Sequence, residues 1–319
     1  MPETENFYGE DADLVIVLVN NMPTAAKRAT QEQFVGLLTA ASHIANLRIR
    51  LLTVETLQTR TDEAFRLIRD AQPDALIVTG DEPKARAMID EPLWPALARL
   101  VEWAGDNTIA SVWSCLAAHA AAFRLDRVGR QRLPEKLSGL FACEAAADHA
   151  LAAGLPSSWL VPHSRHNNLD AAELAGRGYT ILTQASRIGA DSFVKQVRSS
   201  LFLLLQGHPE YAPDSLFREY RRDIRRFLSG ERGTYPDMPE NYFDAATTTT
   251  LERLRDEAHR APSPRLLASV YAAFTAAPAQ PGSDAATLLY ANWLDYVAMQ
   301  KAERENAAQW SAQQQRGAA

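Results

Sequence analysis

The stretch "DLVIVLVN" (13–20) is a continuous run of apolar, mostly β-branched residues. A strand with one wet face alternates apolar with polar positions. An unbroken run belongs to a strand buried on both faces, which requires helices on both sides of the sheet. The pattern returns in "LRIRLLTV" (47–54), "DALIVTG" (74–80) and "TIASVWS" (108–114). Between these runs lie three helical patterns. "ATQEQFVGLLTAASHI" (29–44) sets Phe34, Leu37, Leu38 and Ala41 at helical spacing. "TDEAFRLIRDAQ" (61–72) opens with a Thr-Asp cap signal, and "WPALARLVEWA" (94–104) follows. Strands alternating with helices predict right-handed crossovers and an α/β fold: a mostly parallel sheet flanked by helices.

Beyond residue 130 the pattern loosens. "SWLVPHSRHNN" (158–168), "YTILTQAS" (179–186) and "SLFLLLQGHPEY" (200–211) are further strand-like runs, with room for an antiparallel portion. "PDSLFREYRRDIRRFL" (213–228) reads as a helix with Pro213 in its first turn and a stripe of Phe217, Tyr220, Ile224, Phe227 and Leu228. The C-terminal quarter holds helical pieces and a Pro/Gly/Ser linker. A last helix from about Ala285 puts Leu289, Trp293 and Tyr296 on one face, which suits docking on the core. The final "AAQWSAQQQRGAA" reads as frayed. The expected organisation is a tail (1–12), an α/β domain (13–230) and a C-terminal extension (231–319).

A chain of 319 residues supports a sizeable core. A net charge of −6 argues against a nucleic-acid surface. "MPETENFYGEDAD" is polar and acidic and does not read as a signal peptide, and "LVIVLV" and "LFLLL" are too short to span a bilayer. Two cysteines make no disulfide framework. These features predict a cytoplasmic protein without membrane partners. No Walker-type or GxGxxG loop occurs, which argues against nucleotide phosphate binding of those kinds.

Ligands of parallel α/β sheets gather beyond the carboxyl ends of the strands. Three sharp features fall there: Gly80, Cys115 and "GHPEY" with His208 and Glu210. A Cys at the first turn of a helix meets free N–H groups that favour the thiolate. A thiol, an imidazole and a carboxylate together suit attack on an acyl group: the imidazole moves the proton and the carboxylate holds its tautomer. His-x-Glu on an extended strand would put both side chains on one face. Backbone N–H groups at Gly80 and Leu116 would form an oxyanion hole. Blander readings stand beside these. Cys115 fits as core filler, and His119 as a locally packed residue. His163 and His166 lack further Cys or His neighbours in sequence to complete a metal site, so no metal is expected. Arg218, Arg221, Arg222, Arg225 and Arg226 read as a solvated face, from which one could turn toward an anionic substrate.

An ordered set of stretches is similar to one known family. It comprises "NNMPT" (20–24), "LIVTG" (76–80), "WP" (94–95), the segment around Cys115, "LPEKLSG" (133–139), "PHSR" (162–165), "GHPEY" (207–211), "EYRRD" (219–223), "NYF" (241–243) and "LLYANWLDY" (288–296). With these the chain resembles the homoserine O-acyltransferases of methionine biosynthesis, whose fold is like that of class I glutamine amidotransferases. The resemblance implies that Cys115 accepts the acyl group, His208 is the general base and Glu210 its partner. Lys136, Ser164 and Arg222 fall on substrate-contacting positions. It further implies ping-pong transfer from an acyl-CoA co-substrate to the homoserine hydroxyl, with no separate cofactor and small molecules as partners; a homodimer stays open.

The chain departs from the family's pattern at Leu116, His119, "LFACEA" and residues 245–283. The family's donor-selecting position, Gly for succinyl-CoA and Glu for acetyl-CoA, falls on Lys84. A lysine does not repel a succinyl carboxylate, so the expected donor is succinyl-CoA, with acetyl-CoA or another hydroxy amino acid acceptor as alternatives. A glutamine amidotransferase would want G-x-C-x-G, whereas Ser114 and Leu116 flank Cys115 and Ala117 takes the second Gly position. A non-catalytic binding domain would most naturally have lost Cys115, His208 or Glu210.

Overall fold

The computed structural model describes residues 11–55, 57–274 and 283–317. The strands are β1 (Leu14–Val19), β2 (Ile49–Val54), β3 (Ala75–Val78), β4 (Ala110–Ser114), β5 (Gln131–Ala145), β6 (Ser158–Asn168), β7 (Thr180–Ala185), β8 (Gly189–Val197) and β9 (Ser200–Leu205). The helices are α1 (Thr24–Ala45), α2 (Thr61–Ala71), α3 (Trp94–Asn107), α4 (Leu116–Asp126), α5 (Ala171–Gly176), α6 (Ser215–Leu228), α7 (Ala245–Arg260), α8 (Leu266–Ala273) and α9 (Ser283–Gly317).

The nine strands among the described residues form one sheet, ordered β2-β1-β3-β4-β9-β8-β7-β5-β6. The half from β2 to β9 is parallel, as the apolar runs predict. The other half, from β9 through β8, β7 and β5 to β6, is antiparallel. Sequence pattern did not single out β5 or β8. β5 carries Pro134 and several charges, and a register shift between Arg132 and Leu137 accommodates the proline.

Each face of the sheet is covered. One core packs Val17, Trp113 and Phe202 against Phe65 of α2, Leu100 of α3 and the alanines of α4. The opposite core packs Ile16, Ile77 and Leu203 against Phe34 and Leu38 of α1 and Trp293 and Leu294 of α9. A third cluster joins α6, α7 and α8 to Leu140 of β5. The stripe expected on α6 is the face that enters it, with Phe217, Tyr220, Ile224 and Leu228 buried and Phe227 partly so.

Several local expectations change. No side-chain cap opens α2; Thr61 donates to the Leu57 carbonyl instead, at 2.8 Å. Pro213 lies just before α6, with Asp214 at the N-cap. The end expected to fray is helical to Gly317, because Ala, Gln and Arg propagate the helix beyond its last packed turn; Trp310 there is exposed. Most of the expected N-terminal tail (1–10), part of the expected linker (275–282) and residues 318–319 lie outside the described residues.

Candidate active site

Three neighbouring parallel strands, β3, β4 and β9, end on the same edge of the sheet. The chain past β4 must turn at once into α4, and Cys115 makes that turn with φ 53° and ψ −114°, a backbone conformation L residues rarely adopt. Its N–H donates to the Leu205 carbonyl of β9 at 2.8 Å, which pins the turn to the next strand. Gly80 is required beside it: a Cβ there would stand 2.5 Å from the Leu116 Cβ and 2.7 Å from the Leu116 nitrogen. The start of α4 therefore lies against bare backbone, where its first N–H groups have no intrahelical acceptors.

β9 stops at Leu205, so His208 and Glu210 sit in a turn and not on a strand. Gly207 follows at a point with no room for a side chain, since a Cβ there would collide with Val161, His163 and Asp191. The His208 N–H donates to the Pro162 carbonyl of β6 (2.8 Å), and the Tyr211 N–H closes back on the His208 carbonyl (3.1 Å). The turn brings the pair together where a strand would have aligned it: His208 Nδ1 donates to Glu210 Oε1 at 2.9 Å. Its ring stacks on Tyr211 at 4.2 Å and hydrogen-bonds the Cys115 side chain. Burial disfavours the imidazolium. The Glu210 charge and the hydrogen bonds to Cys115 and Glu210 outweigh it and raise the His208 pKa well above the usual value.

Gly80, Cys115, Leu116, Lys136, Ser164, His208, Glu210 and Arg222 all line one cavity. Lys84 does not. It lines the adjoining cavity, and its ammonium is held by Asp81 Oδ2 at 2.7 Å on the shared wall. Lys136 and Ser164 converge on a residue that sequence reasoning did not single out. Glu219 Oε2 accepts from Lys136 (2.8 Å) and Ser164 (2.5 Å), and its Oε1 accepts from Tyr211 (2.5 Å). Burial disfavours the Glu219 carboxylate, but the Lys136 ammonium and these hydrogen bonds hold its pKa down at about 2. Arg222 Nε donates to Asp223 Oδ1 at 3.0 Å. The only sequence signal for Glu219 was its place in "EYRRD", three residues before Arg222 and hence on the same helix face.

A buried polar layer supports the site from below. Gln206 Oε1 accepts from His119 Nε2 (3.1 Å), Arg165 Nη1 (3.1 Å) and the Leu169 N–H (2.9 Å). Burial pulls the His119 pKa down to about 3, so its ring is neutral and serves in packing. Arg165 was overlooked in favour of its neighbour Ser164. Burial lowers its pKa to about 10, while the charge of Cys115 pulls the other way. A guanidinium thus faces the thiol. Strand alternation sends His163 and His166 to opposite faces of β6. His163 instead meets Cys143 and Asp191, with donor atoms within 4.8 Å of one another. Arg165 Nε donates to His163 Nδ1 at 3.3 Å, setting a fixed cation beside that group. Burial pushes the Cys143 thiol far up, which makes it a poor nucleophile beside the cavity-facing Cys115.

A thiol, an imidazole and a carboxylate in hydrogen-bonded sequence at the head of a parallel sheet form a site suited to covalent acyl chemistry at a cysteine. The chain belongs to the homoserine O-succinyltransferase family, whose description matches residues 1–304. A Rhodopseudomonas palustris protein named homoserine O-succinyltransferase is 46% identical over 88% of this chain and 86% of its own length. A Methylorubrum extorquens protein of the same name is 42% identical over 89% and 87%. Among solved structures, the glutaminase domain of Trypanosoma brucei CTPS is similar at 14% identity and a TM-score of 0.48, over 62% of this chain and 87% of that one.

Proposed function

We propose that this chain transfers a succinyl group from succinyl-CoA to the hydroxyl of L-homoserine, a step of methionine biosynthesis. The observation that carries the reading is the hydrogen-bonded order Cys115–His208–Glu210 in the cavity that Lys136, Ser164 and Arg222 also line. His208, hydrogen-bonded to Cys115 and oriented by Glu210, takes the Cys115 proton to give the thiolate. The thiolate attacks the thioester carbonyl of succinyl-CoA. The oxyanion that forms lies against the backbone at Gly80 and Leu116. The carbon–sulfur bond to coenzyme A breaks, and the leaving thiolate takes the His208 proton.

Acylation removes the hydrogen bond that the Cys115 side chain makes to His208. The imidazole thereby becomes a freer base at the point where homoserine must be deprotonated. His208 takes the hydroxyl proton, the alkoxide oxygen attacks the acyl thioester, and the Cys115 thiolate leaves. Arg222 and Lys136 are the cations available to the amino acid's carboxylate, and Glu219 is the carboxylate available to its ammonium.

Intact-mass analysis after mixing with succinyl-CoA alone tests the reading. One succinyl group appears on Cys115 and leaves on adding homoserine. No adduct, or an adduct only with a glutamine analogue, overturns it. An adduct that persists with homoserine but clears with another hydroxy amino acid reassigns the acceptor.

A further inference from the structure

Four arginines of α6, Arg218, Arg221, Arg222 and Arg225, line a second cavity against α8. Their spacing of three and four residues stacks them along one helix face, where like charges repel. In a chain of net charge −6 such a ladder calls for anionic partners. Two rungs have them: Arg218 Nε lies 2.7 Å from Asp214 Oδ2, and Arg222 Nε lies 3.0 Å from Asp223 Oδ1. Arg221 and Arg225 meet no carboxylate among the described residues. The Arg221 guanidinium lies 5.2 Å from the centre of the Tyr271 ring, and that ring is largely exposed.

The ladder is joined to the active site, because Arg222 lines both this cavity and the one that holds Cys115. The other cavity adjoining the site also carries cations, but each is already matched. Lys27 pairs with Glu55 (3.3 Å), Lys84 with Asp81 (2.7 Å) and Arg226 with Glu82 (3.2 Å). Of these two flanking cavities, the α6–α8 one combines unmatched positive charge with an exposed aromatic ring.

From this juxtaposition, and resting on the succinyl-CoA reading above, we infer that the α6–α8 groove binds the phosphorylated nucleotide end of the acyl donor. The acyl thioester sits at Cys115, the connecting arm passes Arg222, the phosphates lie on Arg221 and Arg225, and the adenine stacks on Tyr271. Guanidinium groups suit phosphate oxygens by their fork of donors, and an exposed ring beside them suits a base.

The test uses the full chain and adenosine 3′,5′-bisphosphate, which carries the nucleotide end of coenzyme A without the thioester arm. By calorimetry, Arg221→Glu/Arg225→Glu weakens its binding at least about tenfold, and Tyr271→Ala weakens it severalfold. Arg221→Gln/Arg225→Gln, the milder pair, moves in the same direction. Arg28→Glu/Arg253→Glu alters the net charge equally and leaves binding unchanged. In turnover, the Arg221/Arg225 reversal raises the KM for succinyl-CoA at least about tenfold, with less than about a twofold change in the KM for homoserine. A truncated succinyl thioester that lacks the nucleotide does not distinguish the reversal from wild type. Equal bisphosphate binding by wild type and reversal, or equal losses with both donors, overturns the groove. Inorganic phosphate binding as tightly as the bisphosphate overturns the nucleotide assignment. A wild-type protein that forms no succinyl adduct on Cys115 fails the functional reading itself; an adduct with no effect of the reversal fails the groove alone.

Discussion

Glu219→Gln tests whether this cavity-lining carboxylate is a structural hub. The substitution keeps the shape of the side chain and removes its charge, as protonation would. Lys136, Ser164 and Tyr211 all favour the charged form and hold the carboxyl down at about 2 against an ordinary value of 4.5. At about 1.36 kcal/mol per decade of proton affinity, that displacement corresponds to about 3 kcal/mol of stability. The figure agrees with the lower end of about 3–5 kcal/mol for unpairing a buried charge. The lower end is the relevant one, since Lys136 keeps Asp223 at 3.3 Å. The sign follows from the lowered affinity: the contribution is fully present above about pH 4.5 and is lost as the pH falls toward about 2. Urea unfolding followed by tryptophan fluorescence is the assay. At pH 7 wild type exceeds Glu219→Gln by about 3 kcal/mol, and the gap narrows by about half near pH 3. A difference under about 1 kcal/mol at pH 7, or a gap independent of pH, would refute the hub.

Cys115→Ser abolishes succinyl adduct formation with an unchanged thermal midpoint, while Cys143→Ala keeps the adduct; the reverse pattern in mass spectra would move the nucleophile to Cys143. His208→Asn lowers kcat by about three to four orders of magnitude and Glu210→Gln by less, since one moves the proton and the other orients the ring. Iodoacetamide alkylation of Cys115 at pH 7 also slows in Glu210→Gln, because the charge that favours the imidazolium is gone; an unchanged rate contradicts the pairing. Wild type prefers succinyl-CoA over acetyl-CoA, and Lys84→Glu lowers that preference about tenfold by leaving Asp81 on the shared wall uncompensated against the succinyl carboxylate. An unchanged ratio of specificity constants removes Lys84 from donor selection. Arg222→Ala raises the KM for homoserine more than that for succinyl-CoA, whereas equal effects assign Arg222 a structural role.

The parallel half of the sheet was legible because both-face burial leaves unbroken apolar runs, a one-dimensional trace of a three-dimensional fact. Cys115, His208 and Glu210 were legible for a related reason: strand ends are where such a sheet exposes chemistry, and a strand end is visible in sequence. Family-like stretches added Lys136, Ser164 and Arg222 one by one. What sequence did not contain was the partners of these groups. Tertiary packing decides that Cys143 and Asp191 meet His163, and a turn, not a strand, sets Glu210 on His208. Only packing of α6 against β5 and β6 joins Glu219 to Lys136 and Ser164, residues more than fifty positions away. Likewise only the docking of α8 sets Arg221 beside the Tyr271 ring. Local sequence dictates which backbone pattern each segment adopts, since propensity and periodicity act within a few residues. Which charge is matched, and which is left for a ligand, depends on distances between segments, and those exist only once the chain has folded.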